Sequence, residues 1–447
     1  MAKRHLIGIG GVGMSALATA LVKLGDTVTG ADRTLGTPNV RFLESLGVKV
    51  FPDDGSGVDA TTDEVVVSTA IEETNAGLKA AKELGIPVTH RAKALARTLG
   101  GYKLVAVVGT CGKSTVTAML GHILAECGLD PMCVNGANVP GWEGAVRFGR
   151  GAYAVAEVDE SDKSLVAFRP YAAIVTNASA DHYSKEEMDE VFDAFVKDCE
   201  GPVIDGRGSL DVLEGLDALE VPVPGAHNRQ NAEMAVRMAV ALGVSPDRAI
   251  AAMKTFRGVE RRLQLISSAP AVYDDYAHNP EKLHAMWTTL AEKQPGGICV
   301  IWRPHGYAPL RKMMDALAAM FAETVRPQDK LLLLPVYDAG GTTDRSVNSD
   351  ALLEKIGSLG TLKSVGSTPS NSNPTLKDPS PTLSDPSPAL SDPSPTLKDS
   401  NVTLVPDLDA AYDWCAAHKG DYAAFVTCGA RDPGLPALAR RLGEKMT

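Results

Sequence analysis

No apolar run in this sequence is long enough to cross a bilayer. The N-terminus reads MAKRHLIGIGGVG, so glycines soon interrupt its apolar segment, and no small-residue cleavage pattern follows. We therefore expect a cytoplasmic protein without a membrane span. Aromatic residues are scarce, at 5%, yet 44% hydrophobic and 22% charged residues are usual for a globular protein. A chain of 447 residues is long enough for about two to four domains with their own cores.

Cysteine and positive charge are also in short supply. The seven cysteines are scattered, odd in number and without CxxC spacing, which predicts reduced thiols and favours neither a zinc site nor a disulfide framework. Lysine and arginine number 44 against 55 aspartates and glutamates, giving a net charge of −11. This balance argues against nucleic acid as a general partner, although a local basic pocket is compatible with it.

The most informative segment is VAVVGTCGKST at 105–115. An apolar run predicts a strand, two glycines break it, and a helix-like segment follows at 116–124. Glycines let backbone N–H groups approach phosphate oxygens, Lys113 adds a point charge, and the Ser114 hydroxyl can contact magnesium. The spacing is GxxGKS rather than GxxxxGKS, so a simple strand-to-helix turn is the alternative. We interpret the segment as a phosphate loop formed by Gly109, Thr110, Cys111, Gly112, Lys113, Ser114 and Thr115.

A second glycine motif opens the chain. Residues 5–13, HLIGIGGVG, contain GxGxxG at Gly8, Gly10 and Gly13, and a helix at 14–24 and a strand at 27–30 lead to Asp32. An acidic residue about 20 positions beyond the glycines is typical of a dinucleotide fingerprint. Because this fold binds many nucleotides, we infer a diphosphate rather than NAD. Strands near 48–51, 65–68 and 87–89 and helices at 40–46, 76–84 and 91–98 complete an α/β domain.

Carboxylates gather where a later strand, predicted at 152–158, ends. They are Glu157, Asp159, Glu160 and Asp162. Carboxylates at the carboxyl edge of a parallel sheet, beside a phosphate loop, are suited to hold magnesium; the alternative is a solvated acidic loop. The next strand, at 172–177, leads to Asp181 and His182, which are either a second metal contact or polar surface.

Short motifs follow one another along nearly the whole chain except 361–400. They are GIGGVGMS at 8–15, VVVSTAI at 65–71, GTCGKST at 109–115, EVDESDKS at 157–164, IVTNASADH at 174–182, GAHNRQNA at 225–232, FRGVERR at 256–262, DDYAHNP at 274–280 and PHGY at 304–307. In this order they resemble the motifs of the Mur ligases, and especially the alanine-adding branch of that family.

The resemblance implies an α/β protein of three domains. These are a Rossmann-like UDP-sugar-binding domain at 1–100, a central ATP-binding domain with a phosphate-loop-type parallel sheet at 101–264, and a Rossmann-like amino-acid-binding domain at 265–447. ATP and Mg²⁺ would activate the lactyl carboxylate of UDP-N-acetylmuramate as an acyl phosphate, and an amino acid, by default L-alanine, would attack it in peptidoglycan precursor synthesis. Alternatives are another amino acid, a recycled peptide or a non-catalytic nucleotide-binding relative. An NAD-dependent oxidoreductase would explain only the first motif.

The resemblance also implies roles for single residues. The catalytic residues would be Lys113, Glu157 and His182, and the metal ligands would be Ser114, Glu157 and His182. Beyond the phosphate loop, ATP would contact Asn228, Asn231, Arg262 and Asp275, although Asn228 could also cap a helix. The UDP-sugar would contact Gly8, Gly10, Gly11, Val12, Gly13, Met14, Ser15, Asp32, Ser68 and Ala70. The amino acid would contact His305, Tyr307 and Arg431.

Some positions depart from the family pattern. Cys111 replaces a histidine, and Gly306 and Pro309 replace arginines that are implied to hold the amino-acid carboxylate. Leaving a carboxylate unpaired in a closed site costs on the order of several kcal/mol. We therefore expect a relocated guanidinium, Arg431 by preference because it is new at a motif position; the alternative is that these arginines are solvated. The candidates are Arg303, Arg311, Arg345 and Arg431.

A seven-residue near-repeat, TLKDPSP, occupies 375–400. Its prolines exclude a coiled coil. Its proline, serine and aspartate content, with few large apolar residues, predicts a disordered insertion at about 364–400 in the third domain. Strands at 402–405 and 424–427 are expected to resume the domain.

Overall fold

The computed structural model describes residues 1–159, 164–178, 185–338, 344–365 and 401–446. Helices and strands alternate through these ranges and build three sheets in which parallel pairing dominates. The predicted α/β class is therefore confirmed. The chain divides into two compact units, Met1–Gln264 and Leu265–Thr447. Among the described helices, none combines the length and the apolar character that a membrane crossing requires.

The first sheet is entirely parallel. Its strands are β1 (Lys3–Ile7), β2 (Thr27–Asp32), β3 (Lys49–Pro52), β4 (Glu64–Val67) and β5 (Val88–His90), in the order β3-β2-β1-β4-β5. The helices are α1 (Val12–Lys23), α2 (Pro38–Ser45), α3 (Ala76–Glu83) and α4 (Arg91–Leu99). They lie close to their predicted positions. The strand order reverses between β1 and β4, which is where open α/β sheets bind ligands.

The second sheet follows the predicted phosphate loop. Its strands are β6 (Lys103–Val108), β7 (Met132–Val134), β8 (Val146–Arg147), β9 (Tyr153–Glu157), β10 (Ala172–Val175) and β11 (Val203–Asp205), in the order β11-β10-β6-β9-β7-β8. Among the described strands of this sheet, only β8 pairs antiparallel, with β7. The helices are α5 (Lys113–Glu126), α6 (Lys185–Val196), α7 (Ala226–Ala241) and α8 (Pro246–Met253), and 3₁₀ turns lie at Ser164–Ala167 and Leu216–Ala218.

Strand β6 is the central strand of this sheet and is buried on both faces. Residues 105–108 have no exposed surface, as expected for a continuous apolar run in a parallel sheet. Val105 and Val107 share one core with the apolar side of α5 and with alanines of α7. Small residues such as Ala232 and Ala235 allow α7 to pack closely on this layer. The loop after β6 therefore starts from a firmly packed strand.

The third sheet lies in the second unit. Its strands are β12 (Gln264–Ser268), β13 (Ala271–Asp275), β14 (Ile298–Trp302), β15 (Lys330–Leu333), β16 (Val402–Leu404) and β17 (Ala424–Cys428), in the order β12-β13-β17-β14-β15-β16. The helices are α9 (Pro280–Lys293), α10 (Tyr307–Thr324), α11 (Ser349–Val365), α12 (Leu408–Ala417) and α13 (Gly434–Lys445). Pairing is parallel from β13 to β16.

Two residues at the predicted start of the insertion are helical. Residues 364 and 365 still belong to α11, and residues 366–400 lie outside the described part of the chain. The fold resumes at β16, which pairs with β15, and at β17, as predicted.

Candidate functional site

The loop between β6 and α5 has the backbone of an anion-binding turn. Gly109 has φ +128° and Gly112 has φ +83°, values that side chains disfavour. A Cβ on Gly109 would lie 2.1 Å from Thr176 Oγ1, and one on Gly112 would lie 2.6 Å from Asn231 Oδ1. Gly112 is the N-cap of helix α5 and provides no side-chain cap, so the positive end of the helix dipole faces the loop. Both glycines are thus required by conformation and by close neighbours.

The side chain of Asn177, which follows the adjacent strand β10, is hydrogen-bonded to this loop. Its Oδ1 accepts the Cys111 N–H at 2.9 Å and the Thr110 hydroxyl at 2.7 Å, and its Nδ2 donates to the Cys111 carbonyl at 3.1 Å. The Thr176 hydroxyl donates to the same carbonyl at 2.6 Å. The strand was predicted to run through Asn177, but β10 ends at Val175. Two polar residues directly after a buried strand were the signal that could have identified them.

Lys113 and the residues after it start α5. The Lys113 ammonium donates to the Gly109 carbonyl at 2.6 Å, so its charge lies over the loop itself. Ser114 and Thr115 are 6% and 7% exposed. The helix starts three residues before the predicted segment, because Lys113, Ser114 and Thr115 form its first turn.

Glu157 lies beside the loop at the carboxyl end of β9. Its register partner on β6 is Val107, two residues before Gly109. Its Oε2 accepts the Gly136 N–H at 2.8 Å, and a Cβ on Gly136 would lie 2.5 Å from that oxygen. Gly136 therefore holds the carboxylate in one orientation and leaves room for it. Carboxylate and hydroxyl oxygens are the ligands that Mg²⁺ prefers.

Of the other predicted metal residues, Asp159 is half-buried two residues after β9, and four are not placed. Glu160, Asp162, Asp181 and His182 lie outside the described residues. Within the ranges that the structure covers, no group of three or more histidine, cysteine, aspartate and glutamate side chains is arranged to hold a metal ion.

The start of α7 approaches the phosphate loop. Asn231 faces Gly112, and its Nδ2 lies 3.4 Å from Asn228 Oδ1; both asparagines are buried. The alternative that Asn228 caps this helix is wrong. The N-cap is Gly225, whose φ of +105° suits glycine, and the Asn228 Nδ2 donates backwards to the Pro224 carbonyl at 2.6 Å. Both predicted ATP contacts on this helix therefore lie close to the loop.

The segment after α8 is bound to the Glu157 side of the sheet. The Glu260 N–H donates to the Asn138 carbonyl at 2.9 Å, and Asn138 Nδ2 donates to Glu260 Oε2 at 3.1 Å. The Arg262 guanidinium donates to the Arg261 carbonyl at 3.2 Å, a contact within its own segment. Asp275 ends β13 in the second unit, where its Oδ1 accepts the Ala277 N–H at 2.7 Å.

The first glycine motif forms a second glycine-containing turn, between β1 and α1. Gly8 has φ +74°, and the Gly10 N–H donates to Asp32 Oδ2 at 2.8 Å. The other oxygen of Asp32 accepts the Thr34 N–H at 2.9 Å. The Asp32 carboxylate thus shapes the loop as well as facing it.

The remaining residues of the predicted UDP-sugar set differ in exposure. Met14 and Ser15 are 4% and 7% exposed, and the Ser15 hydroxyl donates to the Val12 carbonyl at 2.9 Å. Their side chains are therefore largely part of the core. Ser68 is half-buried and Ala70 is exposed, directly after β4.

The predicted amino-acid residues lie at the carboxyl edge of the third sheet. The His305 ring meets His278 edge-on, with centroids 4.8 Å apart. The Arg345 guanidinium carbon lies 5.8 Å from the centroid of the Tyr307 ring. Arg431 follows β17, is exposed and has φ +66°, a conformation that glycine adopts more readily.

The other candidate arginines are engaged with aspartates. Arg303 pairs with Asp432 at 2.6 Å, Arg311 with Asp344 at 2.7 Å and Arg345 with Asp338 at 2.7 Å. A substrate carboxylate would have to compete with these aspartates for the guanidinium groups.

Comparison with known proteins gives consistent matches. The profile of the Mur ligase family catalytic domain matches residues 3–103, and that of the Mur ligase glutamate ligase domain matches residues 261–373. A UDP-N-acetylmuramate--L-alanine ligase of Paenarthrobacter aurescens is 37% identical over 388 residues, covering 75% of this chain and 83% of the relative. A protein of the same name from Gloeobacter violaceus is 32% identical over 400 residues, covering 79% and 85%.

Solved structures agree at the level of the fold. The UDP-N-acetylmuramate-alanine ligase of Thermotoga maritima superposes with a TM-score of 0.74 at 22% identity, covering 100% of this chain and 99% of the other. A murein peptide ligase of Psychrobacter arcticus superposes with a TM-score of 0.62 at 20% identity, covering 99% of each chain.

Proposed function

Because the chain belongs to the Mur ligase family, we propose that it is an ATP-dependent amide ligase that joins L-alanine to the lactyl carboxylate of UDP-N-acetylmuramate. The observation that carries this proposal is the 37% identity over 83% of a relative of that name. The reaction would serve peptidoglycan precursor synthesis in the cytoplasm. We assign the UDP-sugar to residues 1–100, ATP to 101–264 and the amino acid to 265–447.

The reaction would proceed by two transfers. An oxygen of the lactyl carboxylate attacks the γ-phosphorus of ATP, the bond to the β–γ bridging oxygen breaks, and ADP leaves an acyl phosphate behind. The amino nitrogen of alanine, once deprotonated, attacks the acyl carbon, and inorganic phosphate leaves as the amide forms. Both transfers place negative charge near the phosphoryl group, so stabilising cations and N–H donors lower the barrier.

The residues around the phosphate loop suit the first transfer. The N–H groups of 109–115 and the Lys113 ammonium would bind the phosphates of ATP, while Asn228 and Asn231 would bind its adenine side. Ser114 and Glu157 would hold Mg²⁺, which neutralises phosphate charge; the Glu157 carboxylate is already oriented by Gly136. His182 would complete the metal ligands, and Arg262 and Asp275 would contact phosphate and ribose.

The UDP-sugar site would use the first glycine motif. Backbone groups of 8–15 would bind the diphosphate, and Asp32, Ser68 and Ala70 would line the rest of the nucleotide sugar. This assignment follows the strand order, because β1 and β4 flank the point where the sheet reverses.

A second candidate function differs only in the amino acid. Arg431 is exposed at the carboxyl edge of the third sheet, whereas Arg303, Arg311 and Arg345 pair with aspartates. We infer that Arg431 binds the carboxylate of the incoming amino acid, together with His305 and Tyr307. A cation at Arg431, in place of the arginines expected at 306 and 309, would change the shape of the amino-acid pocket. Glycine, serine or a preformed peptide are therefore the alternatives to alanine as substrate.

The test is phosphate release from ATP with UDP-N-acetylmuramate and Mg²⁺, against single amino acids and a tripeptide, with product masses determined. Release that depends on alanine is the expected result. Release with another amino acid or the tripeptide would redefine the substrate, and intact ATP binding without any release would indicate a non-catalytic relative. In the same assay, Arg431→Ala should raise the amino-acid KM by about tenfold or more while leaving the ATP KM unchanged. A rise of twofold or less would remove Arg431 from the site.

A further inference from the structure

The loop that orients the Glu157 carboxylate is held at a second point. Its contact with Glu157 is the Gly136 N–H, which donates to Oε2 at 2.8 Å. Two residues further along, the Asn138 carbonyl accepts the Glu260 N–H at 2.9 Å, and Asn138 Nδ2 donates to Glu260 Oε2 at 3.1 Å. Each of these two residues thus contributes one backbone and one side-chain group. We call this reciprocal pair of hydrogen bonds the Asn138–Glu260 clamp.

Both sides of the clamp are anchored in one apolar core. Asn138 directly precedes Val139, which is 6% exposed, and Glu260 directly follows Val259, which is 2% exposed. The two valines belong to the same core cluster, together with Phe256. Because a closely packed core limits the movement of the backbone beside it, the clamp joins two segments that are already fixed. Its side-chain bond therefore costs less conformational freedom than a bond between mobile surface residues.

The loop between the clamp and Glu157 is closed by its own hydrogen bonds. The Asn135 N–H donates to the Ala145 carbonyl at 2.9 Å, and the Val139 N–H donates to the Gly144 carbonyl at 3.0 Å. Position 136 lies between these two bonds, so its peptide cannot turn without breaking one of them. The direction of the Gly136 N–H therefore depends on where the clamp holds the loop.

We propose that Asn138 and Glu260 are positioning residues for the Glu157 carboxylate as a ligand of Mg²⁺. The inference rests on the proposed function, which supplies the metal ion and ATP. Hydrogen bonds that orient a metal-binding carboxylate strengthen metal binding, because the ligand is held in place before the metal arrives. The Gly136 N–H provides such a bond, and the clamp holds the loop that carries it. Neither Asn138 nor Glu260 touches the phosphate loop in this arrangement.

The test is calorimetric titration of ATP into the full chain, once with Mg²⁺ and once with EDTA in its place. Asn138→Ala and Glu260→Ala each remove the side-chain bond of the clamp. The gain in ATP affinity that Mg²⁺ provides should fall by about three- to tenfold in each variant. ATP affinity without Mg²⁺ should change by less than about twofold, because the phosphate loop is intact. An unchanged gain from Mg²⁺, or an equal loss of affinity with and without it, would overturn the proposal.

Two variants serve as controls. Glu260→Gln keeps an acceptor for Asn138 Nδ2, so it should retain most of the gain from Mg²⁺; a loss as large as that of Glu260→Ala would contradict the role of the hydrogen bond. Glu220→Ala is the matched control, because it removes an exposed carboxylate that pairs with Lys254 at 3.1 Å rather than with the loop. Its gain from Mg²⁺ should equal that of the unmodified chain.

The double variant Asn138→Ala/Glu260→Ala keeps the test decisive. Both substitutions remove the same bond, so the double variant should lose no more of the gain from Mg²⁺ than either single variant. Losses that add would show that the two side chains act separately, and would overturn the proposal. If Asn138→Ala does not fold, Glu260→Ala and Glu260→Gln test the same bond from the other side. If Mg²⁺ gives the unmodified chain no gain in ATP affinity, the proposed function itself is overturned.

Discussion

At the scale of single residues, the side-chain amide of Asn177 fixes the shape of the loop after β6. Asn177 itself lies after a different strand, β10. One side chain satisfies both the N–H and the carbonyl of Cys111, and Thr176 adds a second bond to that carbonyl. A loop preorganised in this way loses less conformational freedom when it binds phosphate. If the loop binds ATP as proposed, Asn177 acts as a positioning residue through the backbone of the loop.

Replacing Asn177 tests this role. Asn177→Asp keeps an acceptor for the Cys111 N–H but places an oxygen against the Cys111 carbonyl and a negative charge beside the phosphates. We expect kcat/KM for ATP to fall about 10- to 100-fold, with the KM for the UDP-sugar within twofold of the original, in steady-state phosphate release. Thr176→Val is the matched control, since it removes one hydroxyl near the same carbonyl and should cost less. An equal rise in the KM of every substrate would instead indicate general damage to the fold.

Single residues also show where prediction from sequence succeeds and fails. Gly109 and Gly112 could be predicted, because glycines between an apolar strand and a Lys-Ser helix start are typical of a phosphate loop. Asn228 was assigned a possible cap, yet Gly225 begins the helix, because the choice between them depends on backbone angles that sequence does not specify.

At the scale of elements, strand β1 carries a buried histidine whose charge the fold disfavours. His5 is 1% exposed, and its Nδ1 lies 2.9 Å from Thr29 Oγ1 on β2. Burial, followed by the charge of Lys3, lowers the pKa of His5 from 6.5 to about 4, although Asp59 and Asp53 oppose the shift. The imidazole is therefore neutral in the folded strand at neutral pH.

This strand should make stability depend on pH. Since the folded pKa of His5 lies below the unfolded one, the unfolded chain binds an extra proton between about pH 6.5 and pH 4. As the pH is lowered across that window, the free energy of unfolding should fall by up to about 3 kcal/mol, and above the window this contribution should be constant. The measurement is urea denaturation of the full chain at several pH values, followed through the unit Met1–Gln264. When the free energy of unfolding of each protein is expressed relative to its value at about pH 7.5, the decrease should be smaller for His5→Gln than for the unmodified chain. Parallel curves for the two proteins would contradict the assignment.

The positions of helices and strands were otherwise predicted from the sequence better than the contacts of single residues. Strands β4 and β6 contain short apolar runs that appear in the sequence itself, and the helices that follow them were predicted close to their observed positions. The two-residue strand β8 was not predicted, because its pairing with β7 depends on a turn rather than on an apolar run. Strand β10 ends with its apolar run at Val175, two residues before the predicted end, and Thr176 and Asn177 turn to the loop.

At the scale of the whole molecule, the proline-rich repeat is followed by an element that is anchored independently of it. Strand β16 pairs with β15, and the Asn401 amide donates to the carbonyls of Arg326, Pro327 and Asp329 at 2.7, 3.0 and 3.0 Å. Asp329 is itself held by Arg326 and by the buried Trp287 indole N–H at 2.9 Å. The chain is therefore fixed in place as soon as the repeat ends.

We expect the repeat to be dispensable for folding and catalysis. Replacing residues 366–400 with a Gly/Ser linker of about ten residues changes the closure entropy of a loop only slightly, since that cost grows with the logarithm of its length. Turnover of ATP should stay within about twofold and the melting temperature within a few degrees. Asn401→Ala in the intact chain is the contrasting variant: it removes three hydrogen bonds at the anchor and should lower the melting temperature of the second unit. If the shortened chain folds but loses turnover, the repeat contributes to the reaction, and its composition alone does not predict its role.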